Sequence, residues 1–256
     1  MKKSVISFYS DKGVKMSEDN KIIRFLNERR FTVLFSGGKD SLATLLWVLD
    51  NVKHDDWNIL YIEVTGNTHE LCNEYVHKVC GKLGVHDKLI HVKREDLDFF
   101  ECLKKWGVPI LRHSRWCLTV FKTPLMRRYA YITQVTGIKR TDSKRRSKIA
   151  GIGVFRNPKS VSVNPLYDWD NDKVIDFIKE HGVELNPCYK IYRHAGNCMF
   201  CPNRNTLQIK LTMSDPYWGR KIVDALRCVR GKISRKIAKR WLQYANIKPI
   251  TSFLQV

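Results

Sequence analysis

A short apolar run, Phe31 to Phe35, stops abruptly at Ser36-Gly37-Gly38-Lys39-Asp40-Ser41. Leu42, Leu45, Leu46 and Leu49 then recur at helical spacing. A buried strand that runs straight into a glycine turn and then a helix commits the chain to α/β architecture. The two glycines let the backbone turn sharply and come close to a ligand. Amides of the loop and of the first helical turn can then face anionic oxygens. Ser36 and Ser41 offer hydroxyl donors and Lys39 a positive charge, while Asp40 suits Mg2+ or a loop-stabilising bond. The string is no Walker A loop, because the four-residue gap after a first glycine is missing.

The rest of the chain repeats this alternation. Strands are expected at Ile59–Val64, Lys88–Val92 and Tyr131–Thr136. Helices are expected from about Thr68 to Leu83, at Asp96–Trp106, at Leu118–Tyr129 and at Asp170–Glu180. An earlier helix should place Ile22, Ile23 and Leu26 on one face. This order predicts an α/β fold, a mostly parallel twisted sheet with helices on both faces. The expected organisation is an N-terminal appendage over 1–30, a nucleotide-binding α/β domain over 31–184, and a cysteine-containing, basic C-terminal region over 185–256. In that last region Ile233, Ile237, Trp241 and Tyr244 should share a helical face.

The formal net charge of +21 points first to partners with phosphate backbones, with a solvated basic surface as the alternative. Two basic stretches stand out. Lys139, Arg140, Lys144, Arg145 and Arg146 follow the third of those strands, a place suited to phosphate. Lys232, Arg235, Lys236, Lys239 and Arg240 crowd a C-terminal helix. The second stretch, with Lys144, Arg145 and Arg146, is the expected nucleic-acid surface.

Eight cysteines are present. No secretory segment and no apolar stretch long enough to cross a membrane is recognisable, so a cytoplasmic location is expected and disulfides explain the set poorly. Cys198 and Cys201 form a C-x-x-C, readable as a redox pair, half a zinc site or half an iron–sulfur site. Cys188 and Cys117 lie upstream. Cys72, Cys80 and Cys102 read as buried small hydrophobes. Cys228 lies between Arg227 and Arg230, which could lower its pKa. His113 and His194 show no hydrolase spacing and read as structural or exposed.

The string SGGKDS resembles the PP-loop of the ATP pyrophosphatases. Over about residues 31–205 the chain resembles the phosphoadenylyl-sulfate reductase-like family, with its adenine nucleotide alpha-hydrolase-like fold. Thr65-Gly66-Asn67-Thr68 with Glu70 is similar to a nucleotide-side segment of that family. Gly137-Ile138-Lys139-Arg140-Thr141-Asp142-Ser143 is similar to its basic element, and Pro165-Leu166 with Trp169 to a later one. The resemblance implies ATP or an adenylyl sulfonucleotide, with Mg2+, held by Ser36–Ser41, Thr65, Gly66, Gly137, Lys139, Arg140 and Ser143, with Lys39 and Asp40 in catalytic roles. It implies a [4Fe-4S] cluster on Cys117, Cys188, Cys198 and Cys201, with zinc as the alternative. The single upstream cysteine, with Thr119 and Lys122, is more similar to the nucleic-acid sulfur-transfer branch. The first expectation is therefore a sulfur transferase acting on tRNA or DNA through an adenylated intermediate, supplied by a sulfur donor protein or sulfide. The second is a sulfonucleotide reductase using a thiol reductant. Its nucleophile would be Cys228, because Thr251–Val256 holds no cysteine. A non-catalytic nucleotide-binding adaptor is the third, and a homodimer is compatible with all three.

Overall fold

A computed structural model describes residues 17–110, 115–156 and 159–245. His113, residues 1–16 of the expected N-terminal appendage and Thr251–Val256 lie outside the described residues. In chain order the elements are α1 (Glu18–Asn27), β1 (Phe31–Leu34), α2 (Lys39–Asn51), β2 (Trp57–Glu63), α3 (Glu70–Lys82), β3 (Leu89–Lys93) and α4 (Phe99–Trp106). A π-helical turn, Cys117–Lys122, runs into α5 (Thr123–Tyr129). There follow β4 (Thr133–Val135), β5 (Ile152–Arg156), β6 (Lys159–Val163), α6 (Asn171–Glu180) and α7 (Cys188–Tyr192). The chain continues with α8 (Thr206–Ser214), α9 (Pro216–Arg227) and α10 (Lys232–Leu242).

The sheet has six strands in the order β3-β2-β1-β4-β6-β5 and is mostly parallel. β1 pairs in parallel with β4, Val33 opposite Val135, and β4 in parallel with β6. β5 pairs with β6 antiparallel, Val154 opposite Val161, and closes that end of the sheet. From β1 the order runs to β2 on one side and to β4 on the other. The loops that leave β1 and β4 carry the glycine string and the Gly137 segment.

The chain divides into two compact units built from interleaved segments. One takes the chain up to Leu34, Asp40–Ile59 and Ala130–Gly182; the other takes Phe35–Lys39, Leu60–Tyr129 and the chain from Val183. In the first unit Ser17 caps α1 by accepting from the Asn20 amide, and the helix buries Ile22, Phe25 and Leu26. Ile23, expected on that face, is only half-buried, since Phe25 fills the stripe beside Ile22 and Leu26.

The core of the second unit is an aromatic cluster. Phe99, Trp116, Phe121 and Phe200 sit within it, with Trp218 and Trp241 at its helical side. α4, α8 and α10 each pack on α9. Asp215 caps α9 through the Tyr217 and Trp218 amides, and Pro216 supplies its fixed φ at the first turn. In α10 the buried stripe is Ser234, Ala238 and Trp241. Ile233 is 47% exposed, so the expected face is rotated by one residue: Ser234 turns inward to meet the Val108 amide at 3.1 Å.

Candidate functional site

In the second unit the glycine loop is braced from behind by the segment after Val183. Gly37 has φ +71, and a Cβ there would lie 2.9 Å from Cys72 Sγ, so a side chain is excluded on both counts. Asn186, 1% exposed, donates from Nδ2 to the carbonyls of Gly37 (3.2 Å) and Ala195 (2.9 Å). Its Oδ1 accepts from the Cys188 amide at 2.9 Å. The Tyr189 hydroxyl accepts from the Lys39 amide at 3.0 Å. The Cys72 thiol donates to the Ser36 carbonyl at 3.8 Å. Asn186 and Tyr189 are therefore positioning residues of the loop, and the reading from sequence missed both. Their one signal is the Asn186-Pro187-Cys188-Tyr189 string, where Pro187 starts a short helix.

In the first unit Asp40 and Ser41 begin α2. A Cβ on Gly137 would lie 2.5 Å from the Asp40 carbonyl, so this glycine lets the loop after β4 press on the start of α2. Lys139 follows, 1% exposed, and its ammonium donates to both Asp40 and Asp142, the latter at 3.1 Å. Asp142 also accepts from the Lys139 amide (3.1 Å) and from Arg146 (2.6 Å). Burial alone would pull Lys139 down, but its bonds to Asp40 and Asp142 outweigh it and hold the ammonium above its usual range. Burial likewise pushes Asp142 up, and the Lys139 amide and ammonium overcome this and hold it below the usual carboxylate range. Arg140 donates to the Ile149 carbonyl at 2.8 Å, pairs with Asp168 at 3.1 Å and lies over the Tyr167 ring. Ser143 is exposed on extended backbone. The cations expected to hold phosphate here are tied to carboxylates: Lys139 acts on Asp40, and Arg140 acts on the Tyr167–Trp169 corner.

A second feature of the second unit is a cavity of about 230 Å³, whose wall includes Cys117, Cys198 and Cys201 with Arg115, Lys122 and Arg204. Residues 64–69 hold the C-x-x-C loop in place. Asn67, fully buried, bonds the Phe200 amide (2.8 Å) and carbonyl (3.0 Å) through its side chain. Its own carbonyl accepts from the Met199 amide at 2.7 Å, and the His69 amide donates to the Gly196 carbonyl at 2.8 Å. Thr65 and Gly66 sit at the start of this clamp. Thr65 Oγ1 donates to the Arg94 carbonyl, and Gly66 lies against the Asp98 carboxylate that caps α4.

Burial and the neighbouring Cys198 push the Cys117 thiol up to about 11. Burial, with Cys198 beside it, also raises Cys201, against the pull of Arg204. Arg204 donates from Nη2 to the Cys198 carbonyl at 2.8 Å, while its buried Nε has no partner. Burial holds this guanidinium below its usual pKa, against Cys201 and Cys198.

Cys188 stands elsewhere. It is 0% exposed in the aromatic cluster, burial raises it to about 12, and its thiol neighbour is Cys72. The structure thus brings three of the four expected ligands to one wall and leaves Cys188 off it. Among the described residues no group of three or more His, Cys, Asp or Glu side chains is gathered as around a single ion. Three thiols beside Arg115 and Lys122, with the unpartnered Arg204 Nε–H, fit an anionic group held by thiolates.

The remaining candidates scatter. Lys232, Arg235, Lys236 and Lys239 are exposed on α10. Arg240 instead donates to the carbonyls of Pro202 (3.4 Å) and Arg204, steadying the loop below the cysteines. Lys144 and Arg145 are exposed, and Arg146 is paired with Asp142. Cys228, exposed, lines a different cavity with Lys104, Lys105 and Arg230. His194 is a core residue beside Thr212, its pKa lowered by burial to about 2. No helix among the described residues is long and apolar enough to cross a membrane.

Comparison with known proteins sets these features in context. The model of the family described as phosphoadenosine phosphosulfate reductase domain matches residues 30–203, more than half of the chain. An uncharacterized protein of Methanocaldococcus jannaschii is 27% identical over 179 residues, 66% of this chain and 35% of that protein. The chain therefore spans about a third of that relative's length, the 35% just given. Phosphoadenylyl-sulfate reductase from Candida auris, in its phosphate complex, is similar at a TM-score of 0.49 and 20% identity, covering 72% of this chain and 93% of that one. The U34-tRNA thiolase of Methanococcus maripaludis, solved with its [4Fe-4S] cluster, is similar at 0.47 and 13% identity, covering 98% and 89%.

Proposed function

Because this chain belongs to the phosphoadenosine phosphosulfate reductase domain family, we propose that it is a PP-loop enzyme that adenylates an acceptor nucleic acid with ATP and replaces the activated oxygen by sulfur. The observation that carries this reading is the three-cysteine wall. Cys117, Cys198 and Cys201 share the cavity and Cys188 does not. Cys117, Cys198 and Cys201 would hold a [4Fe-4S] cluster, which would supply a place for an external sulfur. A reductase whose cluster is closed by four thiolates has no such opening.

The roles of the chain's own groups follow from their contacts. Ser36–Lys39 is held in shape by Asn186 and Tyr189 and receives the phosphate end of ATP. Lys139 neutralises Asp40 so that the head of α2 does not repel the nucleotide. The acceptor's carbonyl oxygen attacks the α-phosphorus, and the bond to pyrophosphate breaks. Sulfide then adds to the activated carbon, the carbon–oxygen bond breaks, and AMP leaves. No oxidant or reductant is consumed. Arg115, Lys122 and Arg204 supply the positive field that an anionic sulfur needs. Asn186 ties the two tasks together, because one side chain bonds both Gly37 of the phosphate loop and Ala195 of the segment that leads into the C-x-x-C.

The reductase reading has one point in its favour, the exposed Cys228 thiol on a cationic cavity. That cavity's lining includes none of Cys117, Cys198 and Cys201, so nucleophile and cluster would work apart. The two readings part in a paired assay on anaerobically reconstituted protein. ATP, sulfide and host nucleic acid should give AMP, pyrophosphate and a thiolated nucleotide by mass spectrometry. Sulfite from an adenylyl sulfonucleotide and a thiol, with no pyrophosphate in the first reaction, would reject sulfur transfer.

A further inference from the structure

The cavity beside Cys228 has a composition of its own. It measures about 410 Å³ and is lined by Lys104, Lys105, Trp106, Gly107, Cys228 and Arg230. Three of these are cations and none is a carboxylate. Lys104 also meets Glu101 at 2.6 Å, a bond at the exposed surface that competes weakly with a ligand. Trp106, the last residue of α4, is 44% exposed, although an indole of that size is normally placed in a core.

Its edge-on neighbour Trp116, centroids 5.5 Å away, is 6% exposed and donates to the Gly107 carbonyl at 3.0 Å. Gly107 is itself pinned to α10, where a Cβ would lie 2.8 Å from Ser234 Oγ. The floor of the cavity is therefore fixed by buried contacts, and the Trp106 ring stands on a rigid support. A half-exposed indole among fixed cations fits a nucleobase on its face and phosphates on the ammonium and guanidinium groups. An acidic peptide would use the charges and leave the ring idle.

Trp106 also packs against the residue that precedes Cys117. Trp116 immediately precedes Cys117, whose thiol faces the cysteine cavity, and Pro109 and Arg115 line that same cavity. On the other flank Gly231 leads from Arg230 into α10, with Lys232, Arg235 and Lys236 exposed. A strand running from α10 across Trp106 would arrive beside Cys117.

We propose that Trp106, with Lys104, Lys105 and Arg230, forms a base-stacking station for a single-stranded segment of the acceptor nucleic acid. This rests on the proposed action on nucleic acid and adds its location and strandedness. Stacking on an aromatic side chain needs an unpaired base, so a duplex of the same sequence binds less well. The charges give the salt dependence and the ring gives the preference for single strands.

The test uses the full chain and a short fluorescein-labelled oligouridine, followed by anisotropy against salt. Trp106→Ala should weaken binding about tenfold, the size of one lost base stack, with the salt slope unchanged. Trp106→Phe should recover most of it. Lys104→Gln, Lys105→Gln and Arg230→Gln together should lower the slope by about 2, at about 0.7 per phosphate contact on a single strand. In the unaltered protein, oligouridine should shield Cys228 from alkylation, read at the peptide level by mass spectrometry. This readout needs no variant and survives any folding defect of Trp106→Ala.

Unchanged affinity in a folded Trp106→Ala variant, or full Cys228 alkylation under saturating oligouridine, overturns the station. So does equal protection by polyglutamate, which would mark a charge-only surface. Loss of pyrophosphate release from ATP is a separate result and strikes the proposed function instead. If oligouridine binds and only α10 substitutions weaken it, nucleic acid is bound but not at Trp106.

Discussion

Two charged clusters organise this molecule, and they are finished to different degrees. Around Lys139 every strong charge has a partner of opposite sign: Asp40 and Asp142 for the lysine, and Arg146 for Asp142. Around Cys117, Cys198 and Cys201 cations face thiols, burial raises the pKa of Cys117 and Cys201, and Arg204 Nε is buried without an acceptor. Buried polar groups in native proteins are almost always satisfied. The first cluster is complete in itself and builds the head of α2. The second leaves a buried donor, Arg204 Nε–H, without an acceptor. A basic run in a sequence is therefore no measure of ligand binding; what counts is whether its partners are already present in the chain.

The largest test of this contrast is Lys139→Met. It leaves two carboxylates facing each other without their ammonium, and breaking a buried pair this way costs about 3–5 kcal/mol in a denaturant titration. A loss near zero would show that the Lys139 cluster is as open as the cysteine one.

The same cluster sets an acid limit. Asp142 is held below its ordinary value, so its contribution is complete above about pH 4 and is lost as pH falls through its lower folded value. Stability of the unaltered protein should fall on that acid side, and more steeply than that of Lys139→Met.

Next in size is α10. Lys232, Arg235, Lys236 and Lys239 form no ion pair among the described residues. Replacing all four by Gln should leave stability within about 0.5 kcal/mol. It should reduce the salt slope of duplex or tRNA binding by about 3 to 4. An unchanged slope would reduce α10 to a solubilising face.

The most local change is Arg204→Gln, which should cost about 1 kcal/mol for the lost bond to the Cys198 carbonyl. Its other effect is specific: without the Nε–H donor, the midpoint potential of a bound cluster should fall, because hydrogen bonds to the sulfurs raise it. An unchanged potential would remove Arg204 from the open cluster.

Much of the architecture was legible because local signals agreed. Phe31 to Phe35 is apolar on both faces, glycines follow, and leucines at helical spacing come next; β1, the loop and α2 stand there. The β5–β6 hairpin was not legible, since two of the three buried positions of β6 are Ser160 and Ser162, which read as polar loop. Asn186 and Tyr189 were invisible for another reason. Their partners Gly37 and Lys39 lie about 150 residues away in the chain, and nothing local marks a side chain whose task is a distant carbonyl or amide. Cys188 shows the limit of spacing arguments. It lies ten residues before Cys198, yet it is buried in the core with its amide bonded to Asn186, and it does not line the cavity that Cys198 lines.

That cysteine also gives the most direct test of the account. Iron and acid-labile sulfide per chain should be measured after identical anaerobic reconstitution of Cys188→Ala and Cys117→Ala. The account predicts that Cys188→Ala keeps the full complement at a stability cost of about 1 kcal/mol, and that Cys117→Ala loses it. Loss of iron in Cys188→Ala, in a chain that still folds, would make the fourth cysteine a ligand, close the open iron and contradict the three-thiol sulfur-transfer site.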